Sequence, residues 1–136
     1  MHLSYGLRLP TDVRHVPVVR HLAVATLREL GVRRESIDAI ALAVTEACTN
    51  VVRHAYPFGA GGEVEVTGRL VLEPERRRLA VTVRDQGTWR PEVAGQGYGL
   101  RTMRACMERV TIRHGEDGTA VTLISKAVPA EGPDGG

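Results

Sequence analysis

Aromatic residues are nearly missing from this chain. One Phe, one Trp and three Tyr make up 4% of its 136 residues, so a core has to be assembled from Val, Leu, Ile and Ala. Lysine is scarcer still. Lys126 is the only one, and the remaining basic residues are Arg, a bias that reads as genome composition and not as function. The net charge is only +2, too small to argue for direct nucleic-acid binding. Cysteine is limited to Cys48 and Cys106, both at apolar helical positions and neither with a second Cys or His at metal spacing. They read as small core residues in a reducing compartment, which excludes a disulfide framework. No apolar run approaches a membrane span, and the opening MHLSYGLRLP lacks the charged-then-apolar pattern of a secretory signal. These absences predict a cytoplasmic protein with no membrane partner.

What is present is ordinary for a globular chain: 43% hydrophobic and 25% charged residues. The length suits one domain with a real core. That domain is expected over residues 1–128, with 129–136, PAEGPDGG, as a disordered tail that has nothing to bury.

The stretch from Ala41 to Tyr56, ALAVTEACTNVVRHAY, organises the rest. At about 100° per residue, Glu46, Asn50 and His54 step along one side of a helix, with Arg53 beside them. Ile40, Ala41, Val44, Ala47, Cys48, Val51 and Val52 fill the other side at spacings of three and four. The apolar side needs a core, while the acid–amide–basic stripe faces either water or a ligand.

The flanking segments follow local rules. His2 to Leu9 alternates loosely and predicts an edge strand. Val16, Val19, Leu22, Ala23, Leu27 and Leu30 predict a helix opened near Pro17 and stopped by Gly31. Ser36 is the expected cap of the central helix. Val64 to Leu72 and Leu79 to Val83 alternate as two strands of a hairpin. Glu73, Pro74 and Glu75 are expected to make its turn, and the basic run Arg76, Arg77 and Arg78 to sit there in solvent. Leu100, Met103, Cys106, Met107 and Val110 line a third helix, and Val110–Arg113 with Ala120–Ile124 form a last hairpin. Three helices and about five strands in hairpins predict an α+β two-layer sandwich, helices on one face of a mainly antiparallel mixed sheet.

Chemistry attaches to four places on this frame. Asp85, with Gly87 after it, ends a strand. The pair is either a common strand-end turn or a buried carboxylate that accepts a hydrogen bond from an exocyclic amine such as that of adenine. Gly95, Gly97 and Gly99 alternate into the start of a helix, where free backbone N–H groups attract phosphate. Asn50 offers a hard oxygen to Mg²⁺, an ion held by one or two protein oxygens plus phosphates and water. Glu46, one turn earlier, is placed to take a proton from a hydroxyl, and Arg53 and His54 to face phosphate oxygens. Thr119, after Gly118, either joins the base-binding network or is half of an ordinary hairpin pair.

With these residues in this order, the sequence resembles the GHKL ATPase superfamily, which has the Bergerat-type, histidine-kinase-like fold. Within it, the resemblance is greatest to anti-sigma-factor serine kinases of the RsbW and SpoIIAB type. Glu46 to Tyr56 matches the family's N box, Asp85-Gln86-Gly87 its first glycine box, Gly95 to Leu100 its second, and Gly118-Thr119 its terminal pair. The resemblance implies ATP and Mg²⁺ as cofactors, Glu46 as general base and Asn50 as metal ligand. Asp85 would bind the adenine amine. Gly87, Gly95, Gly97, Tyr98, Gly99, Leu100, Arg53, His54 and Thr119 would complete the nucleotide site. It implies a homodimeric protein-serine/threonine kinase that phosphorylates a STAS-domain antagonist and sequesters a sigma factor. The chain departs from the pattern at Trp89, where the first glycine box usually has a second Gly. The alternative is a nucleotide-binding regulatory module that sequesters a partner without phosphoryl transfer.

Overall fold

Alternating strands and one long amphipathic helix assemble in the order β1 (His2–Pro10), a 3-10 turn (Val13–His15), α1 (Val16–Glu29), α2 (Arg34–His54), β2 (Glu63–Leu72), β3 (Arg76–Asp85), α3 (Tyr98–Cys106), β4 (Arg109–Gly115), β5 (Gly118–Ile124) and β6 (Val128–Pro129). The computed structural model describes residues 2–10, 12–54, 62–74, 76–85, 98–115 and 118–129. The expected tail from 130 onward lies outside them, and Pro129, its first expected residue, pairs with Arg76 in β6.

The strands form one sheet in the order β1-β2-β3-β5-β4, with β6 beside β3. The mainly antiparallel sheet expected from the hairpins is antiparallel in every pairing among the described residues. Because side chains alternate across a strand, Val64, Val66, Leu70, Leu79, Val81, Val83, Val121 and Leu123 all point to one face and are buried there. The helices cover that face. Their contribution to the same core comes from Val16, Val19 and Leu27 of α1, Ile40, Val44, Ala47 and Val51 of α2, and Met103 of α3. The core is aliphatic, as the shortage of aromatics required.

Local rules explain the element ends. Pro17 sits in the first turn of α1. At its other end Gly31 takes φ 76°, and the N–H groups of Val32 and Gly31 donate to the carbonyls of Leu27 and Arg28, each at 3.1 Å. Those two bonds, with Val32 and Leu27 both buried, are a Schellman stop. Two expectations need correction. The central helix starts at Arg34, so Ser36 lies inside its first turn and does not cap it. The Ile37 N–H donates to the Arg33 carbonyl at 3.0 Å, which closes the first turn three residues earlier than a Ser36 cap would. Nor do Arg76, Arg77 and Arg78 form the hairpin turn. The Glu73 N–H donates to the Arg76 carbonyl at 3.0 Å, and Arg76 already belongs to β3.

Ser125 joins β5 to β6. Its N–H donates to the Leu79 carbonyl and its hydroxyl accepts from the Leu79 N–H, both at 2.9 Å, while the same hydroxyl donates to the Lys126 carbonyl. A buried polar side chain is thus fully partnered, as the desolvation penalty demands.

Candidate nucleotide site

The two ends of α2 lie in different surroundings. Near its start, Glu35, Ser36, Ala39 and Ile40 share a cleft with Ala105 and Cys106 of α3 and with Ser125 and Lys126 beyond β5. Near its finish, Cys48 and Val52 share a small cleft with Leu9, Pro10 and Val64. Val64 is in register with Asp85, and Asp85 with Thr119. The second half of α2 therefore lies over the end of the sheet where β3 finishes and β5 begins.

Helix α3 runs the opposite way. Its last residues pack beside Ala39 and Ile40. Moving back from Ala105 to Tyr98 climbs about 10 Å at about 1.5 Å per residue. The same climb along α2 reaches Glu46. The α3 N-terminus, with Tyr98 and Gly99 in its first turn, thus comes level with Glu46 and Asn50.

Exposure along the α2 stripe separates the two readings of its polar side. Glu35, Asp38 and Leu42 are exposed, whereas Glu46 and Asn50 are half-buried. A solvated stripe would stay exposed along its length. This one sinks into a recess over its second half, where the acid and the amide stand.

At the sheet end, Asp85 and Thr119 are each 2% exposed. Both belong to the alternation that faces the helices, so two polar side chains close an otherwise aliphatic layer. The Thr119 hydroxyl makes no hydrogen bond among the described residues. A buried hydroxyl without a partner is destabilising by roughly 1–3 kcal/mol, and a ligand that bonded to it would recover that loss. The residues therefore fit a base-binding pocket: a buried carboxylate to accept from an amine, and a hydroxyl beside it awaiting a partner. Among the described residues no cluster of three His, Cys, Asp or Glu forms a protein-only metal site.

The remaining candidates divide as follows. Arg53 and His54 are the last residues of α2, and Leu100 is half-buried in α3. Gly87, Gly95 and Gly97 lie outside the described residues, as does Trp89. Cys48, between Glu46 and Asn50 in sequence but on the opposite, apolar side of α2, is buried, and burial pushes its thiol up to about 12, which removes it as a nucleophile. Sequence reasoning gave Asp12 no part beyond ending the first strand with Pro10 and Thr11. Its carboxylate accepts from the Arg14 N–H at 2.9 Å and pairs with the Arg14 guanidinium at 2.6 Å, fixing the turn that launches α1 beside the Cys48–Val52 cleft. An Asp two residues after a Pro was the available signal.

Known proteins share this frame. A family model described as the histidine kinase-like ATPase domain matches residues 9–125. The serine-protein kinase RsbW of Bacillus velezensis is 35% identical over 81 residues, covering 60% of this chain and 48% of that protein. The chain thus spans about half the length of that relative. The serine-protein kinase RsbW of Bacillus mycoides is 25% identical over 143 residues, covering 92% and 85%. The crystal structure of the RsbU and RsbW domains of Rv1364c from Mycobacterium tuberculosis superposes with a TM-score of 0.73 at 24% identity, over 93% of this chain and 33% of that one.

Proposed function

This chain belongs to the family of histidine kinase-like ATPase domains, and from that premise we propose that it binds ATP with Mg²⁺ and transfers the γ-phosphoryl group to a serine or threonine of a STAS-domain antagonist. In the same reading it is a homodimer that sequesters a sigma factor until the antagonist competes. The observation that carries the nucleotide site is the buried pair at the sheet end, Asp85 beside a Thr119 hydroxyl that no described residue satisfies.

Each residue has one task. Asp85 accepts from the adenine amine, and Thr119 bonds at the base's edge. The Asn50 side-chain oxygen would hold Mg²⁺, which would neutralise phosphate charge. Backbone N–H groups at the start of α3, with Gly95, Gly97 and Gly99, receive the phosphates, and the helix dipole there favours negative charge. Arg53 and His54 face phosphate oxygens. Glu46 takes the proton of the incoming hydroxyl as its oxygen bonds to phosphorus and the bond to the ADP oxygen breaks. Two of these tasks draw support from α2, whose stripe is half-buried at Glu46 and Asn50 and exposed before them.

A thermal-shift titration with ATP and ADP, with and without Mg²⁺, tests the site. Ligand at about 100 times its Kd adds roughly 2.7 kcal/mol, a rise of several degrees for a domain of this size. The rise should depend on Mg²⁺ and vanish in Asp85→Asn. No rise under any condition would refute nucleotide binding. Radiolabelled ATP with a candidate antagonist then separates transfer from mere capture. If Glu46→Ala still captures the partner and the wild type transfers nothing, the chain is a sequestering module instead.

A further inference from the structure

The sheet face turned away from the helices has an ordered composition of its own. The strand registers align Thr67, Thr82, Thr122 and Thr111 in one row across β2, β3, β5 and β4. At about 4.8 Å between strands the row is roughly 14 Å long. The Thr82 and Thr122 hydroxyls lie 3.4 Å apart. On one side of this row stand Arg69 and Arg109, on the other Arg84 and Arg113, all exposed. At the margins Arg8 pairs with Glu65 at 3.1 Å, and Arg78 with Glu108 at 3.5 Å. Among the described residues no carboxylate forms an ion pair with the four arginines that flank the threonines.

We propose that this open sheet face is a docking surface for an acidic face of a partner protein, separate from the nucleotide end. Composition alone does not produce such a face, because the chain's 18 basic and 16 acidic residues nearly cancel. Glu65 stands opposite Arg84 but pairs with Arg8, whereas Arg69, Arg109 and Arg113 face only Ala80, Ile124 and Ala120 across the strands. Guanidinium groups bind carboxylates with two parallel hydrogen bonds and are enriched at interfaces, where glutamate is depleted. The threonines are short and stiff, so the arginines rise above a level floor that an opposing surface can meet.

The other occupants fit less well. The face has no aromatic side chain on which bases would stack. Its apolar members are Ala80, Ala120, Ile124 and, at the margin, Val71, too little for membrane insertion. A second copy would bring the same unpaired positive charge against it. Arg84 precedes Asp85 in sequence but points to the opposite face, so a partner held here leaves the Asp85–Thr119 recess open.

The test uses the full chain and fluorescent poly-L-glutamate as the acidic polypeptide. Duplex DNA, single-stranded DNA and phosphatidylserine vesicles serve as competitors for the same face. Wild type should bind poly-L-glutamate in a salt-dependent manner and shift the amide signals of Thr82 and Thr122. Arg69→Glu with Arg109→Glu should weaken binding about tenfold or more, while Arg33→Glu, off this face, should bind like wild type. Should the reversed variant fail to fold, Arg69→Gln with Arg109→Gln is read in its place. Equal binding by wild type and variant, tighter binding of either DNA or of vesicles, or a change of mass by light scattering in the folded variant would overturn the proposal. ATP binding stays intact in the variant, so the outcome is independent of the nucleotide site.

Discussion

Thr119 and Asp85 are neighbours across two strands, both sealed from water, but the strength of the argument rests with the threonine. Thr119→Val keeps the shape and removes a hydroxyl that no described residue satisfies. The free protein should then be unchanged or more stable by about 1 kcal/mol, while ATP binding weakens. Chemical denaturation beside nucleotide titration measures both, and a large loss of stability would mean that the hydroxyl already has a partner. Glu46→Gln separates chemistry from binding: the thermal shift with ATP should persist while phosphoryl transfer falls by about 10²-fold or more. Tyr5 poses a different problem. Its ring covers Gly68, where a Cβ would lie 2.2 Å from Tyr5 Cζ. Gly68→Ala should therefore displace the ring and destabilise the β1–β2 pair by roughly 1–3 kcal/mol, visible as a lower urea midpoint.

At the scale of the element, α1 depends on how it stops. Gly31 holds φ 76°, a conformation that costs a residue with a Cβ about 1–2 kcal/mol. Gly31→Ala should lower Tm by a few degrees without altering nucleotide affinity, because the Schellman stop is remote from the sheet end. In α2 the gradient of exposure matters more than the pattern. A helix of this amphipathicity could present its polar stripe to water throughout. The end of α3 lies beside Ala39 and Ile40, and the stripe becomes half-buried beyond them, at Glu46 and Asn50. Strand β3 shows the reverse lesson. Three consecutive arginines look like a turn, yet the strand tolerates them, because Arg76 and Arg78 stand on the open face and are exposed while Arg77 is half-buried and donates to the Glu73 and Arg76 carbonyls.

For the whole molecule, alkaline pH should probe the packing of β1 against α2. Burial, followed by the neighbouring Cys48, pushes the Tyr5 hydroxyl from 10.0 up to about 12, and burial alone pushes the Cys48 thiol from 9.0 up to about 12. Both groups keep their protons longer folded than unfolded, so their stabilising effect is complete below the unfolded values. It declines as pH rises past 9 and is lost on approaching 12. Urea midpoints should fall across that window, and the fall should be shallower in Cys48→Ala. A flat profile would show that water reaches both groups.

The order of elements, the alternation that makes one sheet face apolar, the aliphatic core and the stop at Gly31 were all legible in the chain, because each follows from contacts within a few residues. So were the candidates at Glu46, Asn50, Asp85 and Thr119, through the resemblance of their spacing to a known family. The start of α2 and the entry of Arg76, Arg77 and Arg78 into β3 were not, since backbone hydrogen bonds set those boundaries and leave no mark on residue type. Only the tertiary structure decided that Glu46 and Asn50 are recessed while Glu35 and Asp38 on the same stripe are exposed, and that Thr119 is buried beside Asp85. Only it aligned four threonines between unpaired arginines. Local sequence determines which way a side chain points along its own element. Whether it meets water, a ligand or a partner there depends on which distant elements the fold brings over it.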